Sequence, residues 1–91
     1  MPLPTDAQER KAIPIYTGFI KYFPDAIAEV ARVSLKGGIQ HGQTPETLHW
    51  DRTKSQDELD AMMRHIIDGD WAQVAWRAMA NLQKKIEEEQ N

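Results

Sequence analysis

The alternation of hydrophobic and polar positions is clearest in residues 54–68, where it predicts a helix. The large apolar side chains share one side of this helix: Leu59, Met62, Met63, Ile66 and Ile67. The charged side chains share the opposite side: Asp57, Asp60, Arg64 and Asp68. Ser55 and Glu58 have the spacing of a capping box, and Gly69 predicts the end of the helix.

A second helix is predicted directly after this one, from Trp71 to about Glu88, with Asp70 as its N-cap. Because the connection is so short, the two helices should lie side by side as a hairpin. The predicted core side chains of the second helix share one stripe: Trp71, Ala75, Ala78, Met79, Leu82 and Ile86. Trp76 points away from that stripe, which predicts an exposed second contact surface.

The sequence of the N-terminal half predicts a loose polar arm at residues 1–12, followed by two further helices. Aromatic and aliphatic residues at helical spacing predict a short helix over residues 16–23, within a domain that spans 13–89. Pro24 begins the next helix, which runs to about Lys36 and is expected to stop at Gly37-Gly38. The fold class predicted is all-α, a small antiparallel helical bundle.

Composition narrows the class of protein without identifying it. The length of 91 residues predicts one domain with a small hydrophobic core. Pairing with another copy is a natural way to cover more of its surface. The net charge of −3 gives no reason to expect binding to a nucleic-acid polymer. The absence of cysteine excludes disulfides and thiolate zinc sites. No secretion signal or membrane-length apolar run is present, which favours a cytoplasmic protein that does not bind membranes.

The connection over residues 37–54 is long for a compact domain, and such loops are often functional. It carries side chains that can contact phosphate or stack on a base: His41, His49, Trp50, Arg52 and Lys54. The two histidines could instead bind zinc, but they lack a recognised ligand spacing. Trp50 could close the core beneath the loop, a role that does not exclude another beside a site.

Two consecutive helices each carry a pair of carboxylates one turn apart, Asp25 with Glu29 and Asp57 with Asp60. If the helices pack antiparallel, the four carboxylates can converge on a hard cation, and Mg²⁺ or Mn²⁺ suits an all-oxygen site. Since both pairs face away from the monomer core, a second copy or the residue 16–23 helix must enclose them. The alternative for the first pair is a solvated helix face, with acids early and bases late.

Several segments together resemble the phage-associated dATP/dGTP diphosphohydrolase family. They are Lys21–Ser34, Gln40-His41, Leu48–Ser55, Leu59-Asp60 with Arg64-His65, and Val74–Ala78. That family is similar to the MazG-type all-α nucleoside triphosphate pyrophosphohydrolases. The resemblance implies Mg²⁺- or Mn²⁺-dependent cleavage of a purine (deoxy)nucleoside triphosphate between the α and β phosphates by a homodimer or homotetramer.

The resemblance also implies site residues, because the MazG-type signature is Glu-x-x-Glu on one helix and Glu-x-x-Asp on the next. The second element falls on Asp57 and Asp60, and the first falls on Asp25 and Glu29 with a spacing of four rather than three. Glu29, Asp57 and Asp60 are the expected catalytic metal ligands, with Asp25 completing the metal site or acting through a water. The expected substrate-binding residues are Lys36, His41, His49, Trp50, Lys54 and Arg64.

Two other interpretations remain open from the sequence. A non-catalytic helical interaction module explains the apolar stripes, but it does not explain the basic and aromatic loop. Hydrolysis of the whole triphosphate, or of another phosphate ester, would use the same residue types. Arg64 could also serve only as an intrahelical partner of Asp60 and Asp68.

Overall fold

The computed structural model describes residues 3–53 and 58–90, and within these residues the chain is helical with no strand. The elements in chain order are α1 (Ala7–Lys11), a π-helical segment (Tyr16–Ile20), α2 (Pro24–Gln40), α3 (Glu58–Asp68) and α4 (Trp71–Glu89). The predicted all-α class is therefore confirmed. None of the helices in the described ranges is long and apolar enough to cross a membrane.

The α3–α4 hairpin has the geometry that the sequence predicts. Gly69 has a φ of 72°, the left-handed conformation that commonly ends a helix. Asp70 caps α4, because its side chain accepts a hydrogen bond from the backbone N–H of Gln73. Helix α4 then packs against both α3 and α2, so it is the helix that holds the other two long helices together.

The predicted end of α2 at Gly37-Gly38 is wrong, because the helix continues to Gln40. The His41 N–H still donates to the carbonyls of Gly37 and Gly38, and the left-handed residue is Gly42, at φ 82°. Gly38 is buried, since the following loop folds back over it. A Cβ at this position would lie 2.4 Å from Leu48 Cδ1. Gly38 therefore lets the loop approach the helix.

The two helical glycines differ in a way that stability measurements can detect. An added Cβ at Gly37 meets nothing within 4 Å, so Gly37→Ala should stabilise the protein by about 0.5–1 kcal/mol. Gly38→Ala has the same favourable change in helix propensity. The added Cβ must displace Leu48 and the Gln43 Oε1 atom, which would lie 2.8 Å from it. Urea denaturation should place Gly38→Ala below Gly37→Ala in stability. Equal gains would contradict the close approach.

The predicted core stripes of α3 and α4 are only partly buried, since Met62, Ala75 and Ile86 are half-buried and the other large apolar side chains are exposed. Ile67 is 84% exposed and Trp71 is 68% exposed, and Leu59, Met63, Met79 and Leu82 are exposed as well. The buried side chains at the contact of these helices are instead small or polar: Glu58, Ala61 and Ala80. Helical spacing assigns residues to a common side, but it does not decide which side meets the neighbouring helix.

The N-terminal segments carry short helices with exposed side chains. The segment predicted as a loose arm contains α1, which Asp6 caps by accepting from the Glu9 N–H at 3.0 Å. The predicted helix over 16–23 is a π-helical segment, in which the N–H groups of Ile20 and Lys21 donate five residues back. Its aromatic rings pack mainly on one another, as in the edge-to-face pair of Phe19 and Phe23.

Candidate functional site

A pocket of about 520 Å³ lies where the C-terminal half of α2, the loop over residues 41–53, α3 and α4 meet. Its lining consists of Val33, Ser34, Lys36, Gly37, Gly38, Gln40, His41, Gln43, His49, Trp50, Asp51, Glu58, His65, Gln73, Trp76 and Arg77. Four of the predicted substrate-binding residues are among them: Lys36, His41, His49 and Trp50. All three histidines of the chain line this one pocket.

The loop holds His49 in place through its own hydrogen bonds. The His49 backbone N–H donates to Gln43 Oε1 at 3.1 Å. The His49 Nδ1 atom lies 2.9 Å from the Thr47 carbonyl, and because a carbonyl oxygen only accepts, Nδ1 is the donor. A turn over Thr44–Thr47 supports this arrangement, since the Thr44 N–H donates to Thr47 Oγ1 at 2.9 Å. The Nε2 atom of His49 is thereby left with Gln43 Nε2 as its neighbour, at 3.4 Å.

Two half-buried tryptophans form an aromatic wall of the pocket. The rings of Trp50 and Trp76 pack edge to face, with centroids 5.9 Å apart. The Arg52 guanidinium lies over the Trp50 ring at 4.1 Å from its centroid, a cation–π geometry. The prediction that Trp76 forms a separate exposed contact surface is therefore wrong, because the loop returns across α4 and covers it.

Arg52 also joins the loop to α4. Its Nε and Nη2 atoms donate to the two carboxylate oxygens of Glu87, each at 2.7 Å, across 35 residues of sequence. Gln83 Nε2 donates to the same carboxylate at 2.9 Å. The hydrogen bonds from Arg52 and Gln83 lower the pKa of Glu87, and the hydrogen bond to Glu87 raises the pKa of Arg52. The ion pair is therefore fully charged at neutral pH.

Glu58 is a carboxylate of the pocket lining with only 8% of its surface exposed. It accepts from Arg77 Nη1 at 3.1 Å and from Lys84 Nζ at 3.3 Å. The sequence interpretation gave Glu58 a capping role with Ser55, and Ser55 lies outside the described residues. One feature of the sequence could have indicated this burial: Glu58, Ala61 and His65 share one side of α3. The small side chain of Ala61 on that side permits close packing of a neighbouring helix.

Three of the four carboxylates predicted to bind metal, Asp25, Glu29 and Asp60, are described, and they lie on exposed positions of α2 and α3. Asp25 is in the first turn of α2, and Glu29 forms an ion pair with Arg32 one turn later. Asp60 lies in a shallow depression beside α4, with Lys84 and Lys85 among its neighbours there.

Asp57 and Lys54, two of the predicted site residues, fall outside the described ranges. Arg64 lies exposed on α3 and is not part of the pocket lining. In residues 3–53 and 58–90 of one chain, no group of three or more histidines and carboxylates is placed to hold a metal ion. The described carboxylates of a single copy therefore do not form the donor set by themselves, and their convergence stays a prediction.

Comparison with known proteins adds no identification: no family model, no curated protein and no solved structure matches the chain. The likeness to the dATP/dGTP diphosphohydrolases therefore rests on the motifs quoted above.

Proposed function

We propose that the protein is a metal-dependent diphosphohydrolase that converts a purine (deoxy)nucleoside triphosphate, such as dGTP or dATP, to the monophosphate and pyrophosphate. The observation that carries this proposal is the pocket that gathers Lys36, His41, His49 and Trp50. Its volume of about 520 Å³ lies within the range of roughly 300–1,000 Å³ that is typical of small-molecule sites.

The pocket side chains have the chemistry that a nucleotide requires. The Trp50 and Trp76 rings line the pocket and can stack on a base, and Gln40, Gln43 and Gln73 add amide groups that can contact its edge. Lys36 is exposed at the pocket rim and can contact phosphate oxygens. In this proposal Lys54 and Arg64 add further phosphate contacts, and His41 and His49 contact the sugar or base.

In the proposed enzyme Glu29, Asp57 and Asp60, with Asp25, would hold Mg²⁺ or Mn²⁺. A bound divalent cation supplies charge neutralisation at the phosphates and acidifies a nearby water. Since the described carboxylates of one chain do not form this donor set, we propose that a second copy completes it. The exposed apolar stripes of α3 and α4 favour such a homodimer or homotetramer of MazG-like type.

Metal binding should raise the melting temperature of the wild-type protein. A ligand that binds only the folded state at 100 times its Kd stabilises it by about 2.7 kcal/mol. We expect this gain with Mn²⁺ and Mg²⁺, measured by calorimetry at fixed protein concentration, and its loss in Glu29→Gln. Glu89→Gln, at the exposed end of α4, is the matched control and should retain the gain. An unchanged wild-type melting temperature would count against a converged carboxylate site.

The activity itself is tested by incubating the protein with the common triphosphates and a divalent metal. The proposal predicts a nucleoside monophosphate and pyrophosphate. Tripolyphosphate would indicate hydrolysis of the whole triphosphate group from the nucleoside, and orthophosphate alone would indicate attack at the γ phosphate.

A non-catalytic helical interaction module is the second candidate, because the α3 and α4 apolar side chains are exposed. It predicts no hydrolysis of any triphosphate, and it leaves the lining of the pocket unexplained. The same incubation therefore separates the two functions.

A further inference from the structure

The loop over residues 41–53 contributes His49 and Trp50 to the pocket. Arg52 joins this loop to α4. One guanidinium lies over the Trp50 ring at 4.1 Å and donates two hydrogen bonds of 2.7 Å to Glu87 on α4. A bidentate ion pair of this kind fixes the orientation of the guanidinium as well as its distance from the carboxylate, because the two N–H···O hydrogen bonds run in parallel.

Trp50 is held from three sides by this arrangement. Arg52 lies over its ring, Trp76 meets it edge to face at 5.9 Å, and Lys84 Nζ lies 6.0 Å from its centroid. Lys84 is itself bound to Glu58, and Gln83 supports Glu87 at 2.9 Å. Side chains of α4 from Trp76 to Glu87, spread over about three turns of the helix, therefore surround this loop tryptophan or support its partners.

We propose that Arg52 and Glu87 are positioning residues, whose ion pair holds Trp50 in the orientation that stacks on the nucleotide base. This inference rests on the proposed function, and it assigns to Arg52 a role other than direct phosphate contact. The guanidinium already donates two hydrogen bonds to Glu87 and lies over the Trp50 ring, while Trp50 itself lines the pocket. Glu87 does not touch the substrate, and its effect passes through Arg52.

The test compares Glu87→Gln and Arg52→Lys with Glu89→Gln, a matched change at an exposed position two residues further along α4. Glutamine keeps the shape of the side chain but removes its charge, and lysine keeps the charge but cannot form the bidentate pair. We expect each of the two variants to raise KM about tenfold, within the range reported for loss of base–aromatic stacking, with kcat within about twofold. The double variant Arg52→Glu with Glu87→Arg restores an ion pair between loop and helix, so it should recover part of the KM change.

A second measurement reports on the orientation of Trp50 in the absence of substrate. The near-ultraviolet circular dichroism of the Trp50–Trp76 pair should change in Glu87→Gln and stay unchanged in Glu89→Gln. An unaltered KM in Glu87→Gln, or a fall in kcat alone, would overturn the positioning role while leaving the proposed function intact. A wild-type protein that hydrolyses no triphosphate would overturn the proposed function and this inference with it.

Discussion

Glu29→Gln should abolish turnover while leaving the fold intact. The substitution keeps the size of the side chain but removes a negative charge that a hard cation requires as a ligand. Removal of one group that stabilises transition-state charge typically lowers kcat by about 100- to 1,000-fold, and loss of an essential ligand should reach at least that range. The measurement is steady-state hydrolysis of the preferred triphosphate, with the circular dichroism of each variant checked first. Asp60→Asn should have the same effect.

Arg32 supplies a matched control for this prediction, since its guanidinium is the ion-pair partner of Glu29 on α2. Exposed ion pairs of this kind contribute about 0–1 kcal/mol to stability. If Glu29 served only this pair, Arg32→Met and Glu29→Gln would behave alike. The proposal instead predicts an active Arg32→Met and an inactive Glu29→Gln. Retained activity in Glu29→Gln or Asp60→Asn would refute the assignment of that residue as an essential ligand.

Glu58→Ala should be strongly destabilising, by about 3 kcal/mol, because it leaves two cations without their shared carboxylate in a largely desolvated position. Glu58 is 8% exposed, and the side chains of Arg77 and Lys84 are each 24% exposed. Urea denaturation at fixed protein concentration should show a lower midpoint with an unchanged slope.

Glu88→Ala is the control for Glu58→Ala, since Glu88 is exposed on α4 and lines, together with Glu58, the shallow depression that contains Asp60. Its stability should stay within about 0.5 kcal/mol of the wild type. The triple replacement of Glu58, Arg77 and Lys84 by methionine should recover much of the stability, because it removes the charges together. A loss of less than about 0.5 kcal/mol in Glu58→Ala would show that the buried ion cluster does not stabilise the fold.

Local signals in the sequence account for the helices but not for how they face one another. The Gly69 stop and the Asp70 cap depend on residues within one turn, and the structure has both. The Gly37-Gly38 pair looks the same in sequence, yet α2 passes through it. Gly38 is required by the space that Leu48 occupies, which is a tertiary contact that a local pattern does not contain.

The pocket was predictable in its loop and at Lys36 of α2. The composition of residues 37–54 pointed to His41, His49 and Trp50, and the structure places them in one lining. The α4 half depends on which side of that helix packs inward. Because the apolar stripe predicts the core side of α4, the sequence places Trp76 on the outside and gives no signal for Arg77. Glu87 was missed for a related reason, since its partner lies 35 residues away in sequence.

The most direct test of the proposed chemistry is hydrolysis of dGTP and dATP with Mn²⁺ or Mg²⁺ in ¹⁸O-labelled water, followed by mass spectrometry of the products. The account predicts pyrophosphate without label and a nucleoside monophosphate that carries one ¹⁸O atom, since water attacks the α phosphate. Label in orthophosphate or pyrophosphate, or no product from any purine triphosphate, would contradict it.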